Sequence, residues 1–270
     1  MQWSGRAESA GAAALWACDH LFWHGPSIEC LTALAFAAAG TERCIVGSGV
    51  LQLPLRSAPA VAKAAASLEA LSGGRMVLGL GVGQHDGEYE AAGVDYRSRG
   101  RALDRAIPEL RRIWGRTEGR YPQLPSPGSI PLWIGGSSER ARRRAATLGE
   151  GWMPLFIPPK RLREQFDRLG EDTEEAGRPA EAVARALMVF LAVGGDNDAA
   201  DRGARWMASL YGLPAERLMP HLIAGEAARC ADSLLSINAD GADHIALFVA
   251  DDEPLGHFEQ VTEALSAVGT

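Results

Sequence analysis

Three short stretches of this chain carry side chains able to do chemistry. Asp19-His20 sets a group that exchanges protons near neutral pH beside a carboxylate that can orient or charge it. Its structural alternative is a histidine at a strand end, satisfied by a neighbouring carbonyl. Gln84, His85, Asp86 and Glu88 follow a run of glycines and gather polar groups in one place. Gly135-Gly136-Ser137-Ser138 joins glycines, which let backbone approach a ligand, to serines that cap a helix whose free N–H groups attract anions. Arg140, Arg142, Arg143 and Arg144 come next, as a solvated face or as a hold for an anionic cofactor tail. Cys18 and His244 read as packing residues, and His221 and His257 as surface.

The elements that must position these groups radiate from residues 71–90. The run 76–82 is apolar and uncharged behind a Ser72-Gly73-Gly74 turn, the pattern of a strand buried on both faces. Gly79, Gly81 and Gly83 alternate, so all three point to one side. Such a face is either a bulged core strand or a close approach by a ligand or another backbone. Around it the chain alternates: helix 2–10, strand 12–17, helix 28–39, strand 44–53, helix 59–70, the glycine strand, helix 100–114 and a proline-rich loop over 117–131. The second half gives strand 132–135, helix 137–148, strand 151–156, helix 159–176, strand 184–193, helices 198–211 and 225–238, strand 242–249 and helix 254–268. Strict alternation predicts a parallel sheet with the polar groups at its carboxyl ends. Seven strands result, one short of a (β/α)8 barrel. The chain opens on the helix that should follow a first strand, which suggests a shortened amino end or a misplaced start. A single barrel domain over 1–270 is expected, with a surface loop at 117–131 and a helical insertion at 194–240. A Rossmann fold is the weaker reading, because the glycines lie inside a strand rather than between strand and helix.

Composition narrows the class. The chain has 270 residues, 47% hydrophobic and 23% charged, as globular enzymes do. Its 27 basic and 34 acidic residues give a net charge of −7, and no basic block marks a nucleic-acid partner. Cys18, Cys30, Cys44 and Cys230 form no CxxC pair, which argues against zinc and for a reducing cytoplasm. Without a signal peptide, lipid motif or long apolar run, a soluble cytoplasmic protein with no membrane partner is expected.

The stretches LWACDH, VGSGVLQLPLRSAP, SGGRMVLGLGVG, EYEAAGV, PLWIGGSSERARRRAATLGEGW and GADHIALF, in this order, resemble the bacterial luciferase-like superfamily. The likeness is greatest to its branch that uses the deazaflavin coenzyme F420. The resemblance implies a (β/α)8 TIM barrel lacking its first strand here, and an oxidoreductase moving a hydride between reduced cofactor and a small organic substrate. His20 matches the histidine set beside the reactive carbon, and Asp19 a residue lining that pocket. Gly49-Val50 falls at a non-prolyl cis peptide behind the ring, with Gln52 following it. Val82-Gly83 matches backbone against the ring edge, which would give the glycine face its purpose. Gly136, Ser137 and Ser138 match the phosphate-binding turn, while Gly74-Arg75 is structural. Phe22, Trp23, His24 and the loop before Pro131 would shape the substrate pocket. Gln84 stands where sugar-phosphate dehydrogenase members carry a proton-transferring glutamate, and it cannot ionise. His85 or Glu88 are the candidates to replace it. FMN with oxygen, as in luciferase-like monooxygenases, is the alternative cofactor chemistry, and a non-catalytic cofactor-binding barrel the third reading. Homodimerisation is expected by analogy, and an open barrel should either re-pair its free edges or be poorly stable.

Overall fold

The protein is described by a computed structural model covering residues 2–120 and 122–268. Its elements run α1 (Gln2–Ser9), β1 (Ala14–Ala17), α2 (Cys30–Ala39), β2 (Ile45–Ser48), β3 (Leu51–Gln52), α3 (Ala58–Ser72), β4 (Met76–Gly81), α4 (Asp86–Ala91), α5 (Arg99–Trp114), β5 (Leu132–Gly135) and α6 (Glu139–Leu148). They continue with β6 (Gly151–Met153), α7 (Leu162–Glu175), β7 (Ala184–Val193), α8 (Asp196–Tyr211), α9 (Ala215–Leu218), β8 (Leu222–Gly225), α10 (Ala227–Ala239), β9 (His244–Val249) and α11 (Pro254–Val268). All strands are parallel, in the order β1-β2-β4-β5-β6-β7-β8, with β3 on β4 and β9 on β7.

Local chemistry accounts for the elements. Pro59 sits in the first turn of α3, where a missing N–H costs nothing, and Gly73 ends that helix at φ 70° with its N–H on Ala70 and Glu69. In β4 all six residues are buried, as a strand covered on both faces requires. Strand periodicity then sorts side chains into two layers. Leu78, Leu80, Leu132, Ile134, Leu187 and Val189 face the helices. Their neighbours Val77, Trp133, Ala186 and Met188 fill the interior of the curl with Met153, Ala246 and Trp16. Arg75, beside Gly74, clamps the base of the sheet through the carbonyls of Ser72, Cys44, Ala38 and Thr41.

Several features differ from the sequence reading. The predicted strand 44–53 is broken at a cis Gly49-Val50 peptide into β2 and β3. The segment 194–240 holds a strand, β8, as well as helices; β8 pairs with the carboxyl end of the long β7. Glu88 lies on an unanticipated helix, α4, and the predicted strand 151–156 ends at Met153. Cys18 and His244 are exposed rather than packed inside, although the His244 ring contacts Trp133.

The glycine face also serves a different purpose. A Cβ on Gly79 would strike the Ser48 carbonyl, and one on Gly81 would strike Val50. On the next strand, a Cβ on Gly135 would lie 2.8 Å from Val50. The glycines make room for the bulge between β2 and β3, an approach of backbone and side chain within the protein. Only Gly83 opens differently, against the Gln52 side chain.

The sheet curls without closing. β1 pairs with β2 alone and β9 with β7 alone, so each leaves one edge unpaired among the described residues. The helix layer does bridge the gap: α1 packs against α11, with Arg6 on Glu259 at 2.9 Å. Glu8 of α1 accepts the backbone N–H groups of Glu42, Arg43 and Cys44, the last at 2.7 Å, which ties the helix to the start of β2. Those three bonds hold the Glu8 carboxyl down at about 2.

Candidate functional site

Two strands deliver the central groups. β1 ends just before Asp19-His20, and β4 leads through Gln84 and His85 into α4, which carries Glu88 back beneath the loop after β1. The Glu88 side chain is wholly buried, and its Oε2 lies 3.2 Å from Nδ1 of His20. Its Oε1 accepts the N–H groups of Leu21 at 2.5 Å and Phe22 at 3.2 Å, so one carboxylate fixes both the loop and the imidazole. Gln52 adds a third donor, Nε2 to Glu88 Oε2 at 3.1 Å. Burial alone would raise the Glu88 pKa, but hydrogen bonds from Gln52, His20 and Phe22 outweigh it and leave the carboxyl below its ordinary range. Held at Nδ1, the His20 ring presents Nε2 away from the network and stacks on Trp23 at 3.6 Å.

Asp19 has a supporting place. Its carboxylate is taken by Arg56, at 2.5 Å, and by the backbone N–H of Gln52 at 2.9 Å. Arg56 also reaches Glu29, which caps α2 by accepting the Thr32 N–H. Gln52 in turn donates Nε2 to the Asp19 carbonyl at 2.7 Å. Because Nε2 serves two acceptors, the amide cannot be reversed, and its Oε1 is left buried without a partner beside Gly83. Val82 accepts from the buried Tyr89 hydroxyl, and Gln84 is exposed with its carbonyl on Tyr96.

Aromatic rings surround this centre. His24 and His85 approach Trp23 at 5.2 and 6.2 Å, and Nδ1 of His85 is buried with no partner. Tyr211, at the end of α8, meets Trp23 edge-on at 5.8 Å and also touches Phe156 and Phe190. His221 packs on Phe156 at 4.9 Å. Sequence reading did not single out Arg56, Tyr211 or Phe156. Their positions depend on contacts across the barrel, which leave no local pattern.

The turn after β5 forms a second centre. Gly136 stands at φ 103° with its carbonyl on the Trp152 indole, and Ser138 caps α6 by accepting the Ala141 N–H at 3.2 Å. Ser137 is exposed at this helix end. The arginines behind it are mostly engaged: Arg142 with Asp172 at 2.8 Å, Arg143 with Glu139 at 3.0 Å, and Arg144 with Asp104 at 2.5 Å. No group of three or more metal-ligating side chains exists among the described residues, and no helix is long and apolar enough to cross a membrane.

Comparison with known proteins gives consistent matches. The model of the luciferase-like monooxygenase family matches residues 1–267. An F420-dependent hydroxymycolic acid dehydrogenase of Mycobacterium tuberculosis is 30% identical over 74% of this chain and 60% of its own length. An F420-dependent glucose-6-phosphate dehydrogenase of Amycolatopsis mediterranei is 28% identical over 87% of this chain and 76% of its own. The chain spans 57–60% of the length of the first curated relatives it matches. Among solved structures, an F420-dependent secondary alcohol dehydrogenase with an F420-acetone adduct superposes with a TM-score of 0.84 at 18% identity, over 99% of this chain and 93% of that one. The FMN complex of the oxygenating constituent of 3,6-diketocamphane monooxygenase, from the CAM plasmid of Pseudomonas putida, gives 0.77 at 16%, over 98% and 91%. At such identities these two likenesses speak for the fold.

Proposed function

The chain belongs to the luciferase-like monooxygenase family, and from that premise we propose that it is an oxidoreductase moving a hydride between reduced coenzyme F420 and a small organic substrate. The observation that carries this reading is the imidazole of His20, locked at Nδ1 by a buried carboxylate at the carboxyl ends of the strands. The two F420-dependent relatives support the deazaflavin over other cofactors.

The residues present suit such a group. Gln52 Oε1 is a buried acceptor without a donor, beside Gly83, and a ring N–H would satisfy it. Val82, Gly83 and the Gly49-Val50 bulge with Gln52 would hold the ring, and Gly136, Ser137 and Ser138 its phosphate. The bound cofactor would supply the hydride. His20 would give the accompanying proton from Nε2 when a carbonyl is reduced and take it back in the reverse direction. Glu88 would keep the imidazole aimed, a role that the exposed, non-ionising Gln84 cannot fill. Trp23, His24 and Tyr211 would wall the substrate. FMN chemistry with oxygen is the second reading, supported by the fold shared with the FMN complex. Self-association into a homodimer is proposed by analogy with the family.

Fluorescence titration with F420 and, separately, with FMN tests the cofactor. Binding of the deazaflavin is expected, and binding of FMN alone would move the chain to the monooxygenases. With an active pair of substrates, His20→Ala should lower kcat by roughly 10²–10⁴-fold with cofactor affinity little changed. An unaltered rate would remove His20 from proton transfer.

A further inference from the structure

We propose that the cavity between the turn after β5 and helix α7 binds the carboxylate-bearing tail of the cofactor, through Arg161, Arg168 and Gln165. The proposal rests on the deazaflavin reading above and extends it to a second anion subsite beyond the phosphate turn. The cavity measures about 290 Å³, and Ser137 contributes to its wall, so it continues directly from that turn.

Three independent features give it the character of an anion site. Gln165, which lines the cavity, is only 9% exposed, and its Oε1 accepts from Arg142 Nη1 at 3.0 Å. That bond fixes the amide and leaves Nε2, which makes no hydrogen bond among the described residues, free to donate to a bound acceptor. Arg161 and Arg168, also in the wall, share one carboxylate, Glu164, at 3.6 and 2.8 Å. Two guanidinium groups on one carboxylate leave a positive charge over, and the wall's own carboxylate, Glu139, is paired with Arg143 at 3.0 Å. Finally, the first N–H groups of α6, those of Glu139 and Arg140, precede the Ser138-capped Ala141 N–H and have no intrahelical acceptor.

The same geometry rules out the more obvious candidates. Arg142 lines the cavity too, but Asp172 at 2.8 Å neutralises it, and Arg143 and Arg144 are held by Glu139 and Asp104. Of the basic run that stands out in the sequence, Arg142 and Arg144 tie α6 to α7 and α5, and Arg143 pairs with Glu139 of its own helix. Arg161, just before α7, and Arg168, within it, line the cavity instead. Guanidinium groups form paired bonds with carboxylates and phosphates alike, so two arginines in the wall beyond the phosphate turn suit a ligand that carries further anionic groups past its phosphate. FMN, which ends at a monophosphate, would use the turn and leave Arg161 and Arg168 idle.

The experiment compares the wild type with Arg161→Ala/Arg168→Ala, both positions being exposed, so that the melting temperature should be unchanged. Three ligands are titrated by fluorescence at low and high salt: F420 with its oligoglutamate tail, the same deazaflavin lacking phosphate and tail, and FMN. The double variant should bind full F420 roughly tenfold or more weakly, with a shallower dependence on salt, and the tail-less deazaflavin as well as the wild type does. Equal binding of full F420 by both proteins, with equal salt dependence, would overturn the tail site and leave the deazaflavin reading intact. Failure of the wild type to bind either deazaflavin would overturn both.

Discussion

At the scale of single residues, Glu88 is the point on which the site turns. It is wholly buried, accepts from two loop N–H groups and from Gln52, and faces His20 at 3.2 Å. Glu88→Gln keeps its size but turns an N–H group toward Gln52 Nε2 or the imidazole. A loss of about 1–3 kcal/mol is expected at pH 7, read as a lowered melting temperature. The folded Glu88 pKa is depressed, so its contribution is complete above the unfolded carboxyl value and fades as pH falls through the folded one. The gap between variant and wild type should therefore narrow in acid, and a gap constant across that range would contradict the role of the charge. Asp19-His20 and Glu88 stand out in the sequence because strand ends in an alternating chain collect at one mouth. Arg56, 37 positions from Asp19, does not, since a long-range ion pair leaves no mark in local spacing. The run Arg140–Arg144 shows the converse, a conspicuous local pattern whose charges are mostly spent on neighbours.

At the scale of elements, the lock between the β2–β3 bulge and β4 sets the sharpest tests. Gly81→Ala and Gly79→Ala should each destabilise by about 1–3 kcal/mol through overpacking, measured by denaturant unfolding. They differ in remedy. Gly81 is opposed by the Val50 side chain, so Val50→Ala should recover much of its loss. Gly79 is opposed by the Ser48 carbonyl, and the same second change should not rescue it. Equal rescue at both positions would refute the assignment. The docking of α1 gives a further test through Glu8. Its folded pKa, about 2, lies below the unfolded value, so its contribution is present above roughly pH 4.5 and is lost as pH falls toward 2. Glu8→Gln should melt lower than wild type at pH 7 and converge with it in acid. Most helices and strands were legible from alternation, because a buried parallel strand is a short apolar run between glycines. β8 was not: its burial is only partial, and pairing with β7 rather than its own pattern makes it a strand.

At the scale of the whole molecule, the sheet is open while the helix layer is bridged. The sequence already implied seven strands where a closed barrel has eight, but the contact of α1 with α11 across the gap was invisible in it. The two layers should respond differently in hydrogen exchange. Amides of β1 and β9 that face the gap are expected to exchange well before those of β4 and β5, which are paired on both sides. Uniform protection across all four strands would mean that the edges find partners in solution, another copy of the chain included.

The Val50 lock has a consequence for how such a sequence can change over generations. Val50 occupies a slot whose walls are the absent side chains of Gly79, Gly81 and Gly135, on two different strands. A lineage could accept a side chain at 81 or 135 only after position 50 had given one up. Position 79 would stay closed in either order, because its obstacle is the Ser48 backbone. Four positions spread over 86 residues of chain are thus inherited as one unit, and the order of their replacement is fixed before any selection for activity begins.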